Sequence, residues 1–184
     1  MSSLHLLAQS TLTHVRVMVA SHVCKDLVLY DTPKHNHLRE LIPLTHHHPI
    51  LLQIIIANSA LHMSNVCQKS LIINTTYTTR QPEPYHHALV ARQRALCLLK
   101  SALTSIASVD VDVTLAVVLL FIEFELIDTG QDNWRHHING ARTIIEMLCT
   151  SSISTQKIMS PLCRCLISNC LVYVDSAYVL ITQI

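Results

Sequence analysis

The sequence predicts an all-α fold, an irregular array of antiparallel helices, and three observations carry that prediction. Half of the 184 residues are hydrophobic while only two are Gly and 14% are charged, a balance that suits packed helices and argues against disorder. The run from Val113 to Ile127 is apolar almost all round, which a helix tolerates only when neighbours enclose it. Finally, Trp134, His137, Ile138, Ala141, Ile144, Ile145 and Leu148 recur at steps of three and four and form one helical stripe.

Taken in order, Ser3 to Tyr30 holds a usable helical series, Leu4, Leu7, Leu12, Val15, Val19 and Val23, and fits one or two helices. Its β-branched cluster Val15-Arg16-Val17-Met18-Val19 suits a strand equally well. Asp31 to His48 contains two prolines and most of the local polar residues, and reads as a connector with one helical turn at Leu38 to Ile42. Pro49 fits a first helical position, where its missing N–H is no loss, and Ile50 to Met63 follows as a buried helix.

Asn65 to Pro84, rich in Thr, Asn, Gln and Pro, reads as a second connector. Pro84 then opens an amphipathic helix whose stripe is Tyr85, Ala88, Leu89, Ala95, Leu96, Leu99, Ala102, Leu103 and Ile106, with Arg92, Gln93, Arg94 and Lys100 outside it. Ser108 to Asp110 turns the chain into the central apolar run, where Asp110 caps the free N–H groups and Asp112 sits in the positive first turn.

Gly130, able to take the left-handed conformation, supplies the stop to that helix. After Asp132 and Asn133, either of which can cap, the Trp134 helix turns Arg135, Asn139, Arg142 and Glu146 outward. Gly140 and Ala141 make it narrow at one point, predicting that a neighbouring backbone approaches closely there. The Ser/Thr-rich stretch Thr150 to Thr155 reads as a loop. Ser160-Pro161 starts a last helix with Ile167, Cys170, Leu171, Val174, Ala177, Tyr178 and Ile181 on one side.

One domain suits this length. A net charge of +1 leaves no strong field to attract nucleic acid. Seven Cys with no signal-peptide plan ahead of them read as reduced thiols in an intracellular protein. The mean hydropathy of +0.37 implies surface covered by partners or by absent segments. Leu166 to Ile184 is the nearest candidate for a membrane span, yet it carries Asn169 and Asp175, so a membrane-associated protein is a runner-up reading.

Chemistry is sparse. His35, His37, His46-His47-His48, His86-His87 and His136-His137 supply imidazoles, and Cys163, Cys165 and Cys170 supply thiols, which raises a metal-dependent hydrolase as a second alternative. The spacings oppose it: zinc helices pair ligands at i, i+4 and ribbons use Cys-x-x-Cys, and neither occurs. Adjacent His residues on a helix point about 100° apart, so each pair offers one inward ligand. There is no nucleophile elbow, phosphate loop or dinucleotide fingerprint. No catalytic, cofactor-binding or metal residue is assigned, and no cofactor is expected.

The run Leu119 to Ile127, then Gly130, then Trp134, His137, the pair Gly140-Ala141 and Ile144-Ile145 resembles the regulatory middle domain of fungal zinc-cluster transcription factors. The resemblance covers about residues 46 to 148. It implies that Glu125, Gly130, Trp134, His137, Gly140 and Ala141 form a structural motif, with Glu125 and His137 hydrogen-bonded across the turn and Trp134 a core anchor. The family's DNA-binding cluster needs six Cys in two close groups beside basic residues, and nothing here matches. The resemblance therefore implies a truncated regulatory domain with an incomplete C-terminus, located in the nucleus, catalysing no reaction and not reading DNA itself. It would regulate transcription through helix-mediated protein contacts, self-association or a small-molecule effector.

Overall fold

Segments without Gly or Pro run on as helix, and in the computed structural model they do so further than composition suggests. The structure describes residues 37–73, 83–104, 110–129, 133–155 and 160–181, with side chains over 39–66, 83–104, 110–129, 133–147 and 160–172. The Ser3 to Tyr30 segment, Gly130 and Ile106 lie outside the described residues. Among the described residues every regular element is helical, as the composition predicted.

A 3-10 turn, His37–Glu40, leads into α1, Leu41–Leu44; α2 is Pro49–Ile73, α3 Glu83–Leu103, α4 Val111–Asp128, α5 Trp134–Thr155 and α6 Pro161–Ile181. The chain divides into two compact units, Met1–Lys100 and Ser101–Ile184.

In the first unit Pro49 starts α2 as expected, and Leu51, Ile54, Ala57 and Leu61 are buried along it. The expected connector from Asn65 is corrected: α2 continues to Ile73. Ser64 through Ile73 contains no Gly or Pro, so its polar residues cost only tenths of a kcal/mol each, roughly, and nothing stops the hydrogen-bond ladder. Glu83 and Pro84 open α3. Its expected stripe holds in part: Ala88 and Ala95 are buried and Tyr85, Leu96, Leu99 and Ala102 half-buried, but Leu89 and Leu103 are exposed and Ala91, outside the stripe, is buried. The inward face is thus a seam of small side chains, which the aliphatic residues beside it masked in the sequence.

The second unit is built on α4. Asp110 caps it: one carboxylate oxygen accepts from the Asp112 N–H at 3.0 Å and the Val113 N–H at 3.4 Å. Every residue from Val113 to Glu125 is buried, as expected of a helix apolar all round. Both α5 and α6 pack against α4, and they also pack against each other. On α5 the expected stripe holds, with Trp134, Ile138 and Ala141 buried and Asn139, Arg142 and Glu146 exposed, but Arg135, expected outward, is half-buried.

Three expectations about α5 and α6 are corrected. The Thr150 to Thr155 loop is the last part of α5, since Leu148 to Thr155 offers no Gly or Pro to end it. Leu171 faces solvent, and the buried side of α6 is Leu162, Cys163, Leu166 and Cys170. The narrow point on α5 is half right: Ala141 is buried, but Gly140 is exposed and a Cβ placed on it meets nothing within 4 Å. Among the described residues no close approach requires that glycine. Gly140→Ala is therefore expected to stabilise the chain by up to about 1 kcal/mol, through lower backbone entropy in the unfolded state. A thermal melt checks this, and an unchanged or lower Tm would contradict it.

Candidate functional site at the α4 to α5 corner

Two residues one helical turn apart share a face, so Phe121 and Glu125 present a ring and a carboxylate side by side along α4. Against them lies His137, in the first turns of α5. Its imidazole stacks on the Phe121 ring with centroids 4.9 Å apart and planes 11° from parallel. Its Nε2 is 3.9 Å from Glu125 Oε1, where the Glu side chain is 2% exposed and the His side chain 17%.

The hydrogen bond expected between Glu125 and His137 is corrected by that distance. At 3.9 Å the contact is too long for a hydrogen bond but within ion-pair range. The sequence brought the two residues together correctly and missed Phe121, which is one of many apolar residues on a helix without a polar face. Trp134, one turn before Ile138, is buried, with the Arg135 guanidinium carbon 5.4 Å from its ring centroid. A guanidinium over the indole face is held by the ring quadrupole, which ties the start of α5 to its own anchor.

At the opposite end of α4 a second polar link closes the unit. The Ser160 hydroxyl donates to Asp112 Oδ2 at 2.6 Å and accepts from the Cys163 N–H at 2.9 Å. Ser160 thus caps α6 and ties it to the first turn of α4. The expected cap was legible from Ser160-Pro161; its partner, 48 residues earlier, was not.

Of the remaining candidate ligands, His35 and the His37 side chain lie outside what the structure describes. His46 and His47 are exposed with ring centroids 6.5 Å apart, and His86 and His87 are exposed with theirs at 6.3 Å. Among the described residues no group of three His, Cys, Asp or Glu side chains is placed to hold a metal ion. Burial pushes the Cys170 thiol up to about 12, so it stays protonated and packs as a small apolar group. The metal-dependent reading gains no geometry from these residues.

Among the described residues one stretch, Pro49–Val66 on α2, is long and apolar enough to cross a membrane, and 44% of it is buried within the chain. Most side chains of the Leu166 to Ile184 segment which the sequence singled out lie outside what the structure describes.

Comparison with known proteins matches residues 20–177 to the fungal specific transcription factor domain. The chain is 28% identical over 157 residues to the acriflavine sensitivity control protein acr-2 of Neurospora crassa, an alignment covering 84% of this chain and 25% of that protein. The chain therefore spans about a quarter of the length of the curated relative it matches. No solved structure matches it.

Proposed function

The chain belongs to the fungal-specific transcription factor domain family, and from that membership we propose that it serves transcriptional regulation by making protein or small-effector contacts, in the nucleus, without catalysing a reaction. The family match across residues 20–177 carries this reading, because it takes in α2 through most of α6. The α4 to α5 corner supports it. Glu125 and His137, two of the motif residues, meet across the two helices, and Trp134 is buried at the start of α5, an arrangement in keeping with a structural role. We propose the same structural role for Ala141, and for Gly130 that of ending α4; Gly140 has none in packing.

Contacts with partners would use apolar side chains left outside. Leu171 and Val172 on α6 stand out, the latter 61% exposed. Adjacent apolar side chains left in water gain from being covered by a partner, whereas a surface residue outside any interface costs little to replace.

Tethering the chain to an unrelated DNA-binding module upstream of a reporter tests the proposal. Reporter output should differ from that of the module alone. Leu171→Asp with Val172→Asp should abolish the difference while leaving stability within about 0.5 kcal/mol, the usual range for surface substitutions. Output identical to the bare module would remove the regulatory reading. A full effect in the double variant would remove these two residues from it.

A further inference from the structure

Phe121 and Glu125 form a cradle one turn long into which the His137 ring is laid flat, and its composition favours a cation. The negative face of the phenyl ring lies 4.9 Å from the imidazole centroid and the buried carboxylate 3.9 Å from Nε2. Histidine is the side chain whose charge changes between about pH 5 and 8. The anion is almost fully withdrawn from solvent, so water and salt screen it little, while the histidine keeps a 17% exposed path by which protons enter and leave.

We propose that His137 is a proton-operated latch: its protonation, between the face of Phe121 and the carboxylate of Glu125, tightens the pairing of α4 with α5. This goes beyond the regulatory reading above and does not depend on it.

Among the described residues, Glu125 supplies the carboxylate within ion-pair range of the ring. On α4, Glu123 lies two residues from Glu125 and so on a different side of the helix, half-buried Asp128 follows Glu125 by one turn and would also favour a cation, and Asp112 is engaged with Ser160 at the far end. On α5, Arg142 pairs with Glu146 at 3.0 Å on the exposed face, Arg135 lies over Trp134, and His136 points into solvent. On α6 the described titratable groups are exposed Arg164 and the thiols of Cys163, Cys165 and Cys170. Desolvation opposes a charged imidazole, but it is partial here, whereas both neighbours favour the cation.

A cradle that binds the imidazolium raises the ring's titration midpoint above that of the unfolded chain. The stabilisation is then complete below about pH 6.5, the ordinary histidine value, and is lost as pH rises through the folded midpoint.

The test follows the histidine ring signals of the full chain by NMR from pH 5 to 8.5, the His137 signal being identified by its loss in His137→Gln. In Glu125→Gln the His137 midpoint should fall by about 1 pH unit, the shift expected from removing an opposite charge within 4–6 Å. An unchanged midpoint overturns the latch. If Glu125→Gln does not fold, the stability difference between wild type and His137→Gln, measured by urea unfolding at pH 5.5 and pH 8, decides. It should be larger at pH 5.5, and a difference independent of pH, or larger at pH 8, overturns the proposal.

Discussion

Phe121→Ala should lower the free energy of unfolding by about 3–5 kcal/mol, the range for emptying a buried aromatic site. Phe121 is fully buried at the centre of α4, a helix with neighbours on every side, so the space left behind has no solvent to collapse into. The loss has two parts. One is the transfer of the ring from water, and the other is the surface under His137, whose stack at 4.9 Å disappears with the phenyl. Since domains are commonly stable by only about 5–15 kcal/mol, this substitution removes roughly a fifth or more of the total. Phe121→Leu, which keeps most of the volume but not the flat face, should cost clearly less. Urea unfolding of both variants checks the order, and a loss below about 1 kcal/mol for Phe121→Ala would show that α4 is not the core of its unit.

How much of this was readable in advance depended on whether a signal was local. The α4 boundaries were legible because Asp110 and Asp112 mark a start chemically and the apolar run between them and Asp128 contains no breaker. The Trp134 stripe was legible because polar and apolar residues alternate with helical period, and burial of Trp134, Ile138 and Ala141 follows it. Helix ends without Gly or Pro were not. Ser and Thr are weak helix formers rather than terminators, so Thr150 to Thr155 and Ser64 to Ser70 continue α5 and α2 instead of ending them.

The candidate site was half legible for a related reason. Glu125 and His137 are polar residues in apolar surroundings and announce themselves. Phe121, surrounded by leucines, valines and isoleucines, carries no phase information, since any face of α4 is as apolar as any other. Gly140 shows the reverse error. A glycine in a helix invites a packing explanation, yet its side of α5 is open to solvent and it is the neighbouring Ala141 that is buried.

Ser160→Ala should cost about 2 kcal/mol, more than an ordinary cap, because the hydroxyl serves two partners at once. As the cap of α6 it accepts from the Cys163 N–H at 2.9 Å, and loss of a Ser cap costs about 0.5–2 kcal/mol. As a donor it reaches Asp112 at 2.6 Å, and a hydrogen bond to a charged group is worth about 1.5–3 kcal/mol before the carboxylate finds water instead. Asp112 is only half-buried, so some of that second contribution is recovered by hydration in the variant. Asp112→Ala removes the same bond from the other side and leaves the α6 cap in place. The two single losses should therefore exceed the loss in the double variant by at least about 0.5 kcal/mol, the coupling expected of residues sharing one hydrogen bond. Strict additivity would mean that Ser160 acts as a cap alone and that the starts of α4 and α6 are held together by the apolar contacts between them.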